Sequence, residues 1–175
     1  VEYLSSGAKQ GNDAALAARA GESQSRLRAL FERSGGKESI AGLRREMMNT
    51  MEEHAGIYRE AAGLKAACEK LGELRRRYSS VELTDKTNVY NTDLLQALEL
   101  GSMLDCAEAV TACALARTES RGAHQRLDFT ARDDTKFLRH SLAYFQAGGA
   151  PRIDYLDVVI TKSQPGVRDY SGGHE

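Results

Sequence analysis

The residues best equipped for chemistry lie close together between Arg117 and Asp134. This stretch holds Arg117, Glu119, Arg121, His124, Arg126, Asp128, Arg132, Asp133 and Asp134. Three kinds of chemistry fit such a set. Arginine forks match carboxylates through two parallel hydrogen bonds, so the cluster can be an ion-pair network pinning an irregular segment to its surroundings. Alternatively, Arg121 and Arg126 could grip the carboxylates of a ligand while His124 moves protons. A third option is a metal site built from His124, Asp128 and His140, although these spacings match no standard ligand pattern. The residue types favour the first reading, in which the cluster contributes structure or an interface and no catalytic, cofactor-binding or metal-binding residue is assigned.

Positioning these side chains requires elements, and the chain is rich in helix signals. Its 175 residues suit about one domain with a real core; they include 24 alanines, two prolines and no tryptophan, a composition that favours helix. A first helix is expected from Asn12 or Asp13 to Arg33, closed by Gly35-Gly36. A second runs from about Ser39 to Tyr58 on the stripe Ile40, Leu43, Met47, Met51, His54 and Tyr58. That stripe reads as core rather than as a cofactor box. A third, from about Ala62 to Ser79, has an apolar face of Leu64, Cys68, Leu71, Leu74 and Tyr78. Arg75-Arg76-Arg77 sits in its last turn, where cations suit the helix dipole. The segment from Val81 to Tyr90 reads as a polar connector.

A fourth helix, capped by Asn91 or Thr92 and reaching Glu119, carries apolar residues on more than one side. It is expected to be buried between others. Beyond it, Phe137 to Phe145 and Arg152 to Thr161 read as strands joined by a turn at Gln146 to Pro151, with a loose tail from Gln164. The fold class is therefore mainly α: a bundle of three to four helices over residues 1–130, then a small C-terminal domain with a strand pair over residues 131–175.

Several functions are disfavoured by composition. Lys+Arg is 24 and Asp+Glu is 25, a net charge of -1. A nucleic-acid-binding module usually carries a clear positive excess, and one basic triplet does not supply it. The longest apolar stretch, Ala109 to Ala116, is under half of the roughly 20 residues of a membrane span. Cys68, Cys106 and Cys113 have no C-x-x-C spacing and read as small buried hydrophobes in a reducing compartment. No glycine-rich turn follows a strand, so no dinucleotide or flavin phosphate site is legible. Val1 to Leu4 reads as a last helical turn closed by Ser5-Ser6-Gly7, with no initiator methionine. The expectation is a piece of a longer polypeptide.

Longer runs of residues carry a resemblance. Asn91-Thr92-Asp93-Leu94-Leu95, Leu98-Glu99-Leu100-Gly101, Ala114-Leu115-Ala116-Arg117 and Glu119-Ser120-Arg121-Gly122-Ala123-His124 resemble the C-terminal part of the fumarate reductase and succinate dehydrogenase flavoprotein subunit. Gly56-Ile57-Tyr58-Arg59 upstream, and Arg132-Asp133-Asp134 followed by His140 downstream, extend the match over essentially the whole chain. The short spacing from His124 to Arg132 resembles the bacterial fumarate reductase type. The related L-aspartate oxidases share the Glu119-to-His124 pattern but generally lack the Arg132-Asp133-Asp134…His140 segment and the strand pair.

The resemblance implies an oxidoreductase that interconverts fumarate and succinate through FAD, with electrons passing to or from an iron–sulfur subunit. The FAD would be held by a missing N-terminal domain, and none is expected in this chain. Implied partners are the protein's own FAD-binding and capping domains, the iron–sulfur subunit and, indirectly, membrane anchor subunits. The whole would sit peripherally on the cytoplasmic side of the bacterial inner membrane, with this part soluble and inactive alone. The alternatives are the C-terminal domain of an L-aspartate oxidase and a free-standing helical interaction module.

Overall fold

A computed structural model describes residues 12–166. The terminal turn expected at Val1 to Leu4 lies outside the described residues. The chain folds as α1 (Asp13–Glu32), α2 (Ile40–Ala55), β1 (Tyr58–Arg59), α3 (Ala61–Tyr78), α4 (Thr92–Ala116), β2 (Gln125–Arg126), α5 (Asp134–Phe137), β3 (Arg139–Tyr144) and β4 (Arg152–Asp157). The fold is mainly α with a small antiparallel hairpin near the end.

Most helix starts follow local capping. Asn12 accepts from the amides of Ala14 and Ala15, Ser39 from Gly42, Asn91 from Leu94, and Asp133 from Lys136. Each cap satisfies amides that have no partner inside the helix. Helix α3 is the exception, because Glu60 gives it no side-chain cap.

The core lies where α2, α3 and α4 meet. Leu43, Leu71, Leu74, Leu100 and Leu104 are fully buried there. Val81 and Leu83 join them, so the segment read as a polar connector in fact plugs the end of the bundle. Two features, one long-range and one local, make this possible. Glu38 and Val81 form an isolated parallel bridge, and Asp93 accepts from the amides of Thr84 and Asp85.

Charged side chains clamp the three helices from outside. Arg77 pairs with Glu38, Glu46 and Glu73, and Arg75 pairs with Asp105 and Glu108 on α4. Two members of the triplet therefore cross-link helices in addition to any dipole effect. Arg77, then Lys70, hold the Glu46 carboxyl at about 2, well below the usual range.

Several expected boundaries and environments are corrected. Helix α2 stops at Ala55 because Gly56 leaves helical geometry; Tyr58 then enters a strand and is exposed. Helix α4 stops at Ala116, where buried polar partners take over its last carbonyls. Its apolar surface is only partly covered, since Leu95, Leu98 and Val110 are exposed. Asp133 caps a helical turn at Asp134–Phe137, which displaces the start of the first strand to Arg139. The second strand ends at Asp157, and Val159 is exposed. Cys106 is exposed and Cys68 and Cys113 are half-buried, so the thiols are not core residues.

The loop between α1 and α2 contains two glycines with different constraints. A Cβ at Gly36 would lie 2.2 Å from the Ser80 carbonyl oxygen, a backbone atom that cannot swing away. Gly35 has φ +75° but open space around it. Gly35→Ala should therefore cost about 1 kcal/mol, from backbone strain alone. Gly36→Ala should exceed it, at about 2 kcal/mol or more, by forcing the loop off Ser80. Denaturant midpoints of the two variants check the order, and equal losses would contradict the steric account.

Candidate functional site

The cluster predicted from Arg117 to Asp134 comes together in space, around two hubs. The first is Arg126, whose side chain is 1 % exposed. Its Nε and Nη2 donate to the two carboxylate oxygens of Asp128, both at 2.7 Å. Its Nη1 donates to the carbonyls of Ala114, Leu115 and Arg117 at the C-terminus of α4. A cation at that end of a helix meets both the unpartnered carbonyls and the negative end of the dipole. The Phe129 ring lies 4.9 Å from the guanidinium, within range of a cation–π contact.

Asp128 does a second job. Its Oδ2 accepts from the amide of Ala61 at 3.0 Å, the first residue of α3. This is the missing cap of α3, supplied from 67 positions away. One ion pair thus closes the end of α4 and the start of α3. Arg126, followed by the Ala61 amide, brings the Asp128 carboxyl down to about 2.

The second hub is Glu119, whose side chain is 0 % exposed. It accepts from Arg117, from Arg121 through two nitrogens at 2.8 and 2.9 Å, and from the amide of Asp133 at 2.8 Å. Burial alone would push the Glu119 carboxyl above the usual carboxylate range, but Arg121, the Asp133 amide and Arg117 outweigh burial and hold it below. Arg117 continues to the carbonyls of Phe137 and Arg139 and to Ser141 Oγ. Arg121 also reaches Asp134, which is paired with Arg132. This hub therefore ties the end of α4 to α5 and the hairpin.

His124 lies between the hubs. Its Nδ1 is 2.9 Å from Arg59 Nη1 and its Nε2 is 3.3 Å from the Arg117 carbonyl. A neutral ring protonated on Nε2 satisfies both contacts, accepting from arginine and donating to carbonyl. Burial pushes its protonation below the ordinary histidine range, and the charges of Arg59, Arg126 and Arg117 add to that effect. Arg59 is the partner that spacing analysis of the cluster missed, 65 positions away. Its own contact to the Gly56 carbonyl and the parallel pairing of β1 with β2 bring it into reach.

The turn Arg121 to His124 fixes the ring. The backbones of Arg121 and His124 bond each other in both directions, at 2.8 and 3.0 Å. Gly122 has φ +57°, as the first central position of a type II′ turn requires. Ser120 Oγ accepts from the Arg126 amide and donates to the Phe129 carbonyl.

This arrangement is self-satisfied. Arg121 and Arg126, the two arginines considered for ligand carboxylates, are occupied by Glu119, Asp134 and Asp128. His124, Asp128 and His140 do not converge: His140 lies exposed on β3, paired with Leu156. Among the described residues, no three His, Cys, Asp or Glu side chains gather as a metal shell. The described residues also do not fit a flavin pyrophosphate, which needs free amides at a helix N-terminus after a glycine turn. The one helix that directly follows a strand, α3, is preceded by Glu60, and its first amide is taken by Asp128.

Comparisons with known proteins show which family carries this segment. The family model of the fumarate reductase flavoprotein C-terminal region matches residues 44–170, which include both hubs. The chain belongs to this family. It is 46% identical over 164 residues to a fumarate reductase flavoprotein subunit of Haemophilus influenzae, covering 94% of this chain and 27% of that protein. It is 38% identical over 128 residues to a succinate dehydrogenase flavoprotein subunit of Rickettsia bellii, covering 73% of this chain and 22% of that protein. A solved structure of the Escherichia coli quinol fumarate reductase superposes with a TM-score of 0.86 at 46% identity, covering 91% of this chain and 28% of that one. The chain thus spans about a quarter of the length of the curated relatives it matches. No helix among the described residues is long and apolar enough to cross a membrane.

The site predicts a two-stage response to acid. A histidine with lowered protonation binds its proton more readily when unfolded, so stability falls once pH drops below the unfolded value of about 6.5. Asp128 and Glu46, both held at about 2, add stability above their unfolded values that is lost as pH falls from about 4.5 towards 2. Denaturant midpoints across pH 7.5 to 2.5 should show both steps, and His124→Gln should remove the first while leaving the second. A flat profile between pH 7.5 and 5 in the unmodified chain would contradict the neutral, buried histidine.

Proposed function

We propose that this chain is the C-terminal quarter of a flavoprotein subunit that interconverts fumarate and succinate with FAD. In this reading the FAD is held by residues outside the chain, and electrons pass to or from an iron–sulfur subunit. The chain's own contribution is scaffold and interface. The observation that carries this is the closed network around Glu119 and Arg126, in the segment that the family model spans. Each arginine of the cluster is paired with another protein group, which suits holding an irregular segment rather than gripping a substrate.

The same reading makes Arg117, Glu119, Arg121, His124, Arg126, Asp128, Arg132, Asp133 and Asp134 structural or interface residues. It divides the chain into a helical bundle over residues 1–130 and a small hairpin-bearing domain over residues 131–175. The partners are the FAD-binding and capping domains of the same subunit, the iron–sulfur subunit and, through it, membrane anchors on the cytoplasmic face of a bacterial inner membrane. The greater identity to fumarate reductases than to succinate dehydrogenases, 46% against 38%, supports the bacterial fumarate reductase type.

The purified 175-residue chain should carry no yellow chromophore and reduce no fumarate with a reduced dye, while the full-length subunit should do both. A stoichiometric flavin on the short chain would overturn the scaffold reading. In the full-length subunit, Arg121→Ala should lower the yield of assembled complex and leave turnover per bound flavin near normal. Normal flavin content and assembly with collapsed turnover would instead place Arg121 in the chemistry.

A further inference from the structure

The small β1–β2 sheet is patterned inside out. Its register pairs Tyr58 with Gln125 and Arg59 with Arg126, in parallel. Paired residues share a face and successive residues alternate. Arg59 and Arg126, with His124 two positions earlier, therefore point into the protein, where they make the contacts described above. Tyr58, its partner Gln125 and Leu127 fall on the opposite, outer face, where Gln125 is half-buried and Tyr58 and Leu127 are 70% and 61% exposed. Ile57, just before the strand, is also exposed. Charge lies inside, while outside two exposed apolar side chains flank the uncharged Gln125, the reverse of the pattern expected for a sheet with one wet face.

Two further observations point the same way. Parallel strands are found covered on both faces, and a two-stranded sheet is marginal without cover. Yet this pair is held rigidly from beneath: Arg59 bonds the Gly56 carbonyl, Ser120 bonds the Arg126 amide, and Asp128 bonds the Ala61 amide. A rigid platform presenting apolar side chains is the form of a preorganised contact surface.

We infer that the Tyr58–Leu127 face, with Ile57 at its rim, is a docking surface for the part of the longer flavoprotein polypeptide that lies outside this chain. This rests on the proposed function, in which the chain is one quarter of that polypeptide. Size selects the occupant. Three side chains bury a few hundred Å² at most, well short of the roughly 800 Å² per partner in a stable standard complex. A second copy or a separate subunit would gain too little from this patch alone. A surface on the same polypeptide is presented at an effective concentration of the order of millimolar, so a small contact suffices. The contacting surface on that polypeptide is apolar, with room for the Tyr58 ring and a partner for its hydroxyl.

Hydrogen exchange in the full-length flavoprotein and in the 175-residue chain tests this. Peptides spanning residues 57–60 and 124–128 should exchange about tenfold or more slowly in the long protein. Equal rates in the two would overturn the inference, as would protection that appears only on adding the iron–sulfur subunit. In the long protein, Tyr58→Asp should speed exchange in both peptides towards the short-chain rate, and Tyr58→Phe should not. A short chain that dimerises, and becomes monomeric with Tyr58→Asp, would assign the face to a second copy and also overturn it. Protection in a long protein that lacks fumarate and succinate activity would refute the proposed function and leave the docking surface standing.

Discussion

One buried guanidinium organises this chain. Arg126 sits where two helix ends meet, and both ends lack partners of their own. The last carbonyls of α4 need donors, and the first amide of α3 needs an acceptor. A lone arginine would answer the carbonyls at the cost of an uncompensated buried charge, which proteins avoid. Asp128 removes that charge and supplies the missing acceptor in the same step. The result is a neutral pair that ties two helices end to end through a loop that has almost no regular structure of its own.

The second hub extends the same logic outward. Glu119 is a fully buried carboxylate, tolerable only because Arg117, Arg121 and a backbone amide surround it. Through Arg117 the charge compensation reaches the carbonyls of α5 and β3, so the hairpin is oriented by α4 as well as packed on it. Phe137 fills the space between, with the Tyr155 ring at its edge and the Arg117 guanidinium over its face. Such pairs add modest net stability compared with an apolar packing of equal volume. Their geometric demands are strict, however, and they hold an irregular chain in one path.

The sequence made the helices legible because their periods and caps are local. Ser39, Asn91 and the leucines of α3 and α4 act within one or two turns. It also made the cluster legible, since its members crowd into 18 positions from Arg117 to Asp134. Their partners outside that window were not. Arg59 reaches His124 across 65 positions and Ala61 reaches Asp128 across 67. Only tertiary contact brings such groups together, and a two-residue strand gives no periodic signal. The burial of Val81 and Leu83 was hidden for the same reason, as two apolar residues in a polar stretch have no period. The early end of α4 had a different cause: its apolar pattern continues, but Arg126 and His124 capture the carbonyls that further turns would have used.

The central claim is that the Arg126–Asp128 pair holds the Arg117-to-Asp134 segment onto the bundle. A double-mutant cycle with Arg126→Met, Asp128→Asn and the combined variant measures it directly. Breaking the pair on the arginine side should cost about 3–5 kcal/mol in denaturant unfolding. The coupling between the two sites should be about 1–3 kcal/mol, because either loss strands the other partner. Single losses below about 0.5 kcal/mol with no coupling, the behaviour of independent surface residues, would contradict the account.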